Sequence, residues 1–398
     1  MINRRPIHRI ALVCTDPGIG VFGTKGAAVH VQSVLQVLVD AGCDVHVITP
    51  RPGPVHDHRL ARLVTVHRLP EISAGPAAER ERAAQRSDAG VAAVLDAVDP
   101  DLVYERYSLW GRTATAWSNA HRVPSILEVN SPLITEQAVH RELADADGAR
   151  TVARQAFGAA DVISCVSDGV ADWVGTMTGR TARILVLPNG VDTDRIRPAE
   201  RPAVTGDQSF VVGFLGTLKA WHGVDTLIDA LAEVDQSGTA GWRLLVVGDG
   251  PLRAGLERHA RQRGVDAEFT GAIDADRVGQ QLQRMDVGCA PYPASTDHYF
   301  SPLKVFEYLA AGLPVLASAI GQIPGILDHG RLGRLVAPGD RRALAAALAE
   351  IRPDRDERVR LAIAGRDAAV ERHTWSGVVE QAFAAAGAGL GRPVVGAG

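Results

Sequence analysis

Lysine is scarce in this 398-residue sequence, which has only Lys25, Lys219 and Lys304 among its 42 basic residues. With 46 acidic residues the formal net charge is −4, so the composition gives no support to nucleic-acid binding. The four cysteines are scattered without a C-x-x-C pair, which argues against a disulfide framework or zinc site and predicts a cytoplasmic protein. No apolar run is long enough to cross a bilayer, so we expect no integral membrane segment. The basic N-terminus, whose apolar run ends at Asp16, is not expected to be a signal peptide.

Short apolar runs alternate along the chain with longer amphipathic segments. In the first half this pattern predicts strands at 9–15, 44–49, 63–69, 102–104, 125–129, 161–166 and 183–187, and helices at 29–41, 77–98 and 136–159. Strands that alternate with helices favour a parallel sheet with helices on both faces. We therefore predict an α/β fold.

The alternation is interrupted at residues 188–208, a stretch rich in Pro, Asp, Arg and Gly that predicts a linker. It then restarts, with strands predicted at 210–215, 243–247, 268–270, 287–291 and 314–318, and helices at 223–234, 252–263, 276–284, 302–311 and 375–385. Ligands of open α/β sheets bind beyond the carboxyl ends of the strands, so two facing halves predict a ligand in a central cleft.

Three loops at strand ends are candidates for binding phosphate. The first, Gly18–Gly23, matches the dinucleotide pattern G-x-G-x-x-G, but the acidic residue expected after the second strand is missing. An NADP site with Arg51 on the 2′-phosphate stays open, as does a glycine-rich connection that binds nothing. We favour a wider loop whose tip, residues 23–26, directs Lys25 at an anion.

The second candidate loop, Gly216–Gly223, combines Lys, Trp and His between a strand and a helix. Lys219 is a point charge suited to phosphate. His222 lies at a helix start, where the helix dipole disfavours the imidazolium and a nearby phosphate opposes that effect. For His222 alone, an ordinary exposed loop histidine is the alternative.

The third candidate loop carries the most specific pattern. Ser301 is suited to cap a helix and Pro302 to its first position. The next backbone N–H groups, of Leu303 and Lys304, are then free to bind an anion, to which Lys304 adds a full charge. Glu307, one turn further on, is placed to accept hydrogen bonds from a ribose diol. A simple capped helix with a solvated glutamate is the alternative.

Taken together, seven segments resemble the retaining, nucleotide-sugar-dependent glycosyltransferases of family 4, which have the GT-B fold, and within them an SPLK/WHG-type subgroup. They are GTKGAAVHV (Gly23–Val31), VYERYSLWG (Val103–Gly111), LEVNSP (Leu127–Pro132), LPNGVDTD (Leu187–Asp194), GTLKAWHG (Gly216–Gly223), VVGDGP (Val246–Pro251) and SPLKVFEYLAAGLPV (Ser301–Val315). The resemblance runs over nearly the whole chain.

This resemblance implies two Rossmann-like domains that face a central cleft. The N-terminal acceptor domain would comprise residues 1–188 and the nucleotide-sugar donor domain residues 189–372. A helix at 373–387 would cross back to the first domain, and residues 388–398 would form a flexible tail. The donor would be a UDP- or GDP-sugar, with no other cofactor.

Carried over by position, Glu307 matches the second glutamate of the family's E-x7-E motif, which binds the ribose. The loop of Gly23 matches the glycine loop that contacts the diphosphate. The chain departs from the pattern where the first glutamate of the motif, which contacts the donor sugar or phosphate, falls on Tyr299. This departure leaves the identity of the sugar open.

Two further departures concern cations. The family's Arg and Lys of the second loop fall on Thr217 and His222, and the family's His of the catalytic region falls on Arg106. Our hypothesis is that Lys219 and Lys304 compensate for the missing cations.

The implied chemistry needs positive charge more than a base. Negative charge grows on the leaving diphosphate, and fixed cations and helix N–H groups stabilise it. In the front-face attack that the resemblance implies, the leaving phosphate takes the acceptor proton, so no separate base is needed. The catalytic candidates are therefore the cations Arg106, Lys219 and Lys304. Five D-x-D matches are interpreted as caps and turns rather than as a metal site. On the acceptor side we expect Lys25, Glu128 and Asn130, for which salt bridges and turn caps remain alternatives.

The sequence therefore favours transfer of a hexose-like sugar to a small soluble acceptor, as in natural-product biosynthesis. A lipid or polysaccharide acceptor stays open, as do an NADP-dependent oxidoreductase, a nucleotide-sugar epimerase of the same fold, and a module that binds nucleotide without turnover. A homodimer also stays open. The nucleotide base is not readable from these residues.

Overall fold

The chain forms two compact units in this computed structural model, which describes residues 5–54, 58–178, 183–199, 209–236, 241–294 and 299–390. The first unit comprises Met1–Asn189, Tyr299–Ser301 and Trp375–Gly398, and the second Gly190–His298 and Pro302–Thr374. No helix in the described ranges is long and apolar enough to cross a membrane. Each unit is built on one parallel sheet.

The first unit contains a seven-stranded sheet of order β4-β3-β2-β5-β6-β7-β8. The seven strands of this sheet are β2 (Arg9–Cys14), β3 (Asp44–Thr49), β4 (Thr65–Arg68), β5 (Leu102–Arg106), β6 (Ser125–Val129), β7 (Val162–Cys165) and β8 (Ile184–Val186). Strand β1 (Arg5–Ile7) lies outside it. Its helices are α1 (Gly26–Asp40), α2 (His58–Leu63), α3 (Ala77–Ala89), α4 (Val91–Val98), α5 (Thr113–His121), α6 (Leu133–His140), α7 (Ala146–Ala159) and α8 (Asp168–Thr178). The central strands are buried on both faces, as their largely apolar sequences predict.

Two long helices predicted for this unit are each divided. The helix predicted at 77–98 is interrupted at Gly90, which separates α3 from α4. The helix predicted at 136–159 is wrong between residues 141 and 145, because the Asp145 carboxylate accepts a hydrogen bond from the Gly148 N–H and starts α7 there. Helices α5 and α8 and the short α2 were not assigned from the sequence.

The second unit contains a six-stranded parallel sheet of order β11-β10-β9-β12-β13-β14. Its strands are β9 (Phe210–Leu215), β10 (Trp242–Val247), β11 (Ala267–Phe269), β12 (Val287–Ala290), β13 (Val315–Ser318) and β14 (Arg334–Val336). Its helices are α9 (Val224–Gln236), α10 (Arg253–Arg263), α11 (Val278–Leu282), α12 (Leu303–Ala310), α13 (Ile323–Ile326), α14 (Arg341–Ile351) and α15 (Arg355–Arg372). The predicted strands agree with this sheet to within one or two residues, whereas β14 and α13 to α15 were not assigned.

The loops that follow β9 and β10 approach each other closely at the carboxyl edge of this sheet. A Cβ added to Gly248 would lie 2.1 Å from the Gly216 carbonyl oxygen, and both glycines have positive φ, 134° and 143°. No L-residue with a side chain adopts this arrangement without strain. The backbone is therefore packed tightly where ligands of such sheets bind.

The last helix, α16 (Trp375–Ala385), belongs to the first unit and contacts α1, as the predicted crossing requires. The predicted flexible tail is wrong for its first three residues, because β15 (Ala388–Leu390) pairs in parallel with β1. Backbone hydrogen bonds to a neighbouring strand fix these residues. Residues 391–398 of that predicted tail lie outside the described residues, as do residues 200–208 of the predicted linker.

Candidate functional site

Lys304 is the most unusual charged residue of the second unit, since its side chain is buried in an aromatic cage. Its ammonium nitrogen donates a hydrogen bond to the Tyr292 hydroxyl at 3.1 Å. It also lies 4.8 Å from the ring centroids of both Phe214 and Tyr292, within the range of cation–π attraction. Burial lowers the pKa of Lys304 to about 7, and the nearby Glu307 opposes that shift.

The end of the Lys304 side chain points toward the loop after β9. A Cβ added to Gly216 would lie 3.2 Å from Lys304 Cε and 3.4 Å from its Nζ. Lys304 is also the second residue of α12, so its own N–H and that of Leu303 have no acceptor within the helix. The structure thus brings together an ammonium group and a helix N-terminus, as predicted for the third loop.

The predicted cap of this helix is wrong. Helix α12 begins at Leu303 with Pro302 at the N-cap position and without a side-chain cap hydrogen bond. The Ser301 hydroxyl instead accepts a hydrogen bond from the Asn189 N–H at 3.0 Å, and the Ser301 carbonyl accepts one from the Asn189 side chain at 3.0 Å. Ser301 therefore fixes the chain next to Asn189 in the first unit and leaves the helix end uncapped.

Glu307, the predicted ribose ligand, lies one turn along α12 and is partly buried. Burial raises the pKa of its carboxyl, while Arg195 and Lys304 act in the opposite direction. Two cations of the same unit thus favour the charged form of this carboxyl.

The second predicted loop forms a 3-10 turn, Ala220–His222, directly before α9. Lys219 Nζ lies 4.4 Å from the ring centroid of Trp221, an exposed indole. His222 Nδ1 is hydrogen-bonded to the carbonyl of Thr217, whose own side chain is exposed. The His222 ring lies 5.8 Å from that of Tyr292, so this loop adjoins the cage of Lys304.

Tyr299, at the position of the family's first motif glutamate, is not part of this group. It belongs to the first unit, where its hydroxyl donates to Glu136 and its carbonyl accepts a hydrogen bond from Ser167. Its ring packs against the core of that unit. The hydroxyl and the ring of Tyr299 thus both make contacts within the first unit.

A second polar group is buried in the first unit, around Glu128 at the end of β6. Arg106 Nη1 donates to Glu128 Oε1 at 2.8 Å, and His30 Nε2 lies 2.9 Å from Oε2. The Tyr104 hydroxyl and the Asn130 amide donate to the same carboxylate. Burial alone would raise the pKa of Glu128, but His30, Arg106 and Tyr104 together hold it well below its usual range.

The predicted acceptor residues differ in exposure. Glu128 and Arg106 are 4% and 9% exposed and are hydrogen-bonded to each other. Asn130 is partly buried, and Lys25 is exposed at the N-cap of α1. His30 and Tyr104 were missed, although His30 lies four residues before Val34 on the apolar face of α1, where a polar residue signals a buried partner.

The first glycine loop does not have the geometry of a dinucleotide site. Helix α1 starts only at Gly26, and the N–H groups of Val21 and Phe22 donate to the carbonyls of Arg51 and Pro52. A Cβ on Gly20 would lie 3.1 Å from the Gly53 backbone. These glycines permit close packing of two loops, which gives no support to the alternative of an NADP site.

Several aspartates of the D-x-D matches accept hydrogen bonds from backbone N–H groups, as the interpretation as caps and turns predicts. Asp145 and Asp354 cap α7 and α15, and Asp192 accepts hydrogen bonds from the N–H groups two and three residues further on. Their carboxylates are thus used by the local backbone.

Comparison with known proteins gives a consistent result over both units. The family model described as "Glycosyltransferase Family 4" matches residues 24–195, and that of "Glycosyl transferases group 1" matches residues 209–354. A GDP-mannose-dependent alpha-(1-6)-phosphatidylinositol dimannoside mannosyltransferase of Mycobacterium tuberculosis (strain ATCC 25177 / H37Ra) is 31% identical, and the match covers 75% of this chain and 76% of that protein. A D-inositol 3-phosphate glycosyltransferase of Stackebrandtia nassauensis is 26% identical over 99% of this chain and 94% of its own length.

Among solved structures, Anabaena Alr3699/HepE in complex with UDP and glucose superposes with a TM-score of 0.69. The match covers 94% of this chain and 97% of that one at 20% identity. Similarity at this level of identity shows the fold: two parallel-sheet Rossmann-like domains of the GT-B type, which confirms the predicted fold class.

Proposed function

Since the chain belongs to glycosyltransferase family 4, we propose that it transfers a sugar, with retention and without a metal ion, from a UDP- or GDP-sugar to an acceptor hydroxyl. The donor diphosphate would bind at the N-terminus of α12, where Lys304 and Lys219 supply positive charge and Glu307 binds the ribose. Thr217, His222 and the N–H of Leu303 would complete the phosphate contacts.

The observation that carries this proposal is the environment of Lys304. Within the described part of the chain, no carboxylate lies within ion-pair distance of its ammonium group, and Lys304 as a whole is 6% exposed. A buried charge without a counter-ion is costly, so the site is better satisfied by an anion than by water alone. The free N–H groups at the start of α12 favour the same ligand.

In the proposed reaction the bond between the anomeric carbon and the diphosphate oxygen breaks as the acceptor oxygen attacks from the same face. The acceptor proton passes to an oxygen of the leaving phosphate, so no separate base is required. Lys304, Lys219 and the N–H groups of α12 stabilise the charge that develops on the diphosphate. Such preorganised groups lower the barrier because they are already oriented before the charge appears.

For the acceptor we propose a small soluble polyol, and GDP-mannose is the first donor to test. Support comes from two relatives, one named for GDP-mannose and phosphatidylinositol dimannoside and the other for D-inositol 3-phosphate. Lys25 and Asn130 are the exposed or partly exposed candidates for the acceptor side, and Glu128 would hold Arg106 in place there. A lipid-linked acceptor is the alternative, favoured by the first of those names.

The test is a thermal-shift screen with UDP, GDP, ADP and dTDP, followed by incubation of the matching nucleotide-sugar with and without acceptor. Ligand that binds the native state raises the melting temperature, so one nucleotide should stand out. Transfer to inositol or inositol phosphate in preference to phosphatidylinositol vesicles supports the small-acceptor proposal. Release of sugar from the donor alone at the same rate would favour an epimerase instead, and failure of all four nucleotides would overturn the proposal.

A further inference from the structure

Tyr292, which no motif had singled out, is the residue that holds the Lys304 side chain. It follows β12 and is 1% exposed. Its carbonyl accepts hydrogen bonds from the Ser318 hydroxyl at 2.8 Å and from the Gly339 N–H at 3.1 Å. Two donors thus anchor the carbonyl of Tyr292, which restricts where its phenol can lie.

The phenol contacts the ammonium in two ways. Its oxygen accepts the hydrogen bond from Lys304 Nζ, and its ring face, with that of Phe214, lies 4.8 Å from the same nitrogen. Burial raises the pKa of Tyr292 well above its usual value, so the group stays a neutral phenol. A neutral oxygen stabilises the ammonium by hydrogen bonding but does not neutralise it.

The charges around Lys304 leave it close to its titration point. Glu307 on the same helix raises its pKa, and Arg195 favours the charged form of Glu307 by lowering the pKa of that carboxyl. From the loop after β9, the ring of His222 packs beside Phe214 and Tyr292 at 5.9 and 5.8 Å. Because burial lowers the pKa of Lys304 to about 7, both the ammonium and the neutral amine are populated near neutral pH.

We propose that Tyr292 is a positioning residue of the donor site: it holds Lys304 against Gly216 and stabilises its charged form, so that binding of the donor diphosphate is coupled to uptake of one proton. The inference rests on the proposed function, because it assumes that the diphosphate reaches Lys304. A neutral amine becomes an ammonium when the dianionic group arrives, because a nearby negative charge favours the protonated form. A cation of fixed charge, such as arginine, would show no such coupling.

This coupling has a defined sign. Below pH 7 Lys304 is already charged, and affinity for the diphosphate is highest. Above pH 7 a proton has to be taken up on binding, so affinity should fall by up to roughly tenfold for each pH unit. Removal of the Tyr292 hydroxyl destabilises the ammonium and should move the onset of this fall to lower pH.

The experiment is isothermal titration calorimetry of the full chain with UDP and with GDP between pH 6 and 8.5. Repeating each titration in buffers of different ionisation enthalpy gives the number of protons taken up on binding. Wild type should take up about half a proton at pH 7 and nearly one at pH 8. Tyr292→Phe should bind within twofold of wild type at pH 6 but about tenfold more weakly at pH 8. Lys304→Met should bind more weakly at every pH and lose most of the proton uptake.

Tyr308→Phe is the matched control. It removes another buried hydroxyl of the same unit, one that bonds to the backbone of Leu215 and Cys289. It should lower the melting temperature without moving the pH profile. If the Tyr292→Phe variant does not fold, the proton count of wild type and Lys304→Met decides the question.

Two failures are distinguishable. Nucleotide binding with no proton uptake in wild type, or with the same uptake in Lys304→Met, overturns the inference and leaves the proposed donor site intact. Absence of UDP and GDP binding at every pH overturns the proposed function and the inference together.

Discussion

His30 Nε2 lies 2.9 Å from Glu128 Oε2, and the two side chains are only 6% and 5% exposed. Helix α1 is thereby joined to strand β6 through a carboxylate that also binds Arg106 at 2.8 Å. The arrangement satisfies a buried negative charge with several donors, and it keeps the Arg106 guanidinium in one orientation. Removal of the carboxylate would leave that guanidinium buried without its counter-ion.

We therefore expect Glu128→Gln to lower the free energy of unfolding at pH 7 by about 3 kcal/mol, measured by urea denaturation. This loss of stability should be smaller in acid. A carboxyl whose pKa is lowered by folding stabilises the fold at pH values above its unfolded pKa of about 4.5, and the stabilisation disappears as the folded carboxyl becomes protonated. Asp147→Asn, which removes a carboxylate that is 95% exposed, is the control and should change little. Equal effects of the two substitutions would contradict this account.

For Glu105 we expect the free energy of unfolding to depend on pH in the opposite direction. It is 1% exposed on β5, and burial, with the neighbouring charge of Asp88, raises its pKa to about 8. Since the unfolded carboxyl titrates near 4.5, the folded state binds the extra proton, and stability falls as pH rises from about 4.5 to about 8. Glu105→Gln should remove this fall, which a shift of this size puts at roughly 5 kcal/mol and which urea denaturation at pH 5, 7 and 9 would measure.

Two comparisons check that prediction. Glu233→Gln, an exposed carboxyl of the second unit, should leave the pH dependence as in wild type. A Glu105→Gln curve parallel to that of wild type between pH 5 and 9 would show that Glu105 is ionised in the folded protein.

We expect substitutions in the proposed donor site to abolish the stabilisation that a bound nucleotide gives. Lys304→Ala and Glu307→Ala should each abolish the thermal shift given by the preferred nucleotide, because each removes a group assigned to the diphosphate or the ribose. Arg150→Ala, an exposed arginine of the first unit, should keep the full shift. An unchanged shift in both site variants would place the nucleotide elsewhere.

Backbone packing at the site can be tested with glycine substitutions. Gly248→Ala should destabilise the second unit by more than about 2 kcal/mol and weaken nucleotide binding, because its Cβ would collide with the Gly216 carbonyl. Gly264→Ala has positive φ but nothing within 4 Å of its Cβ, so it should cost only about 1 kcal/mol and leave binding unchanged. Denaturation and nucleotide titration of both variants measure the difference. Similar losses in the two would argue that conformational strain, not the contact with Gly216, is decisive.

Much of the fold was predictable because it depends on local patterns. The strands β3, β6 and β9 have the predicted bounds, since segments rich in apolar residues are typical of strands buried in parallel sheets. Helix α16 also agrees to the residue. Long helices were less accurate because a cap such as Asp145 divides a segment that remains amphipathic on both sides.

The site was predictable in part. Lys304 and Glu307 stand out through their place at a helix start, whereas the role of Tyr292 depends on a contact between residues twelve positions apart and across two elements. Ser301 was misassigned because its hydroxyl meets Asn189, which is 112 residues away in sequence. No pattern in one sequence reveals such a pairing.

A crystal structure of the protein with its tightest-binding nucleotide would show where the donor binds. We expect the diphosphate at the N-terminus of α12, with oxygens in hydrogen-bond range of Lys304 Nζ and the Leu303 N–H, and with the ribose on Glu307. A diphosphate bound away from residues 301–307 would contradict this expectation.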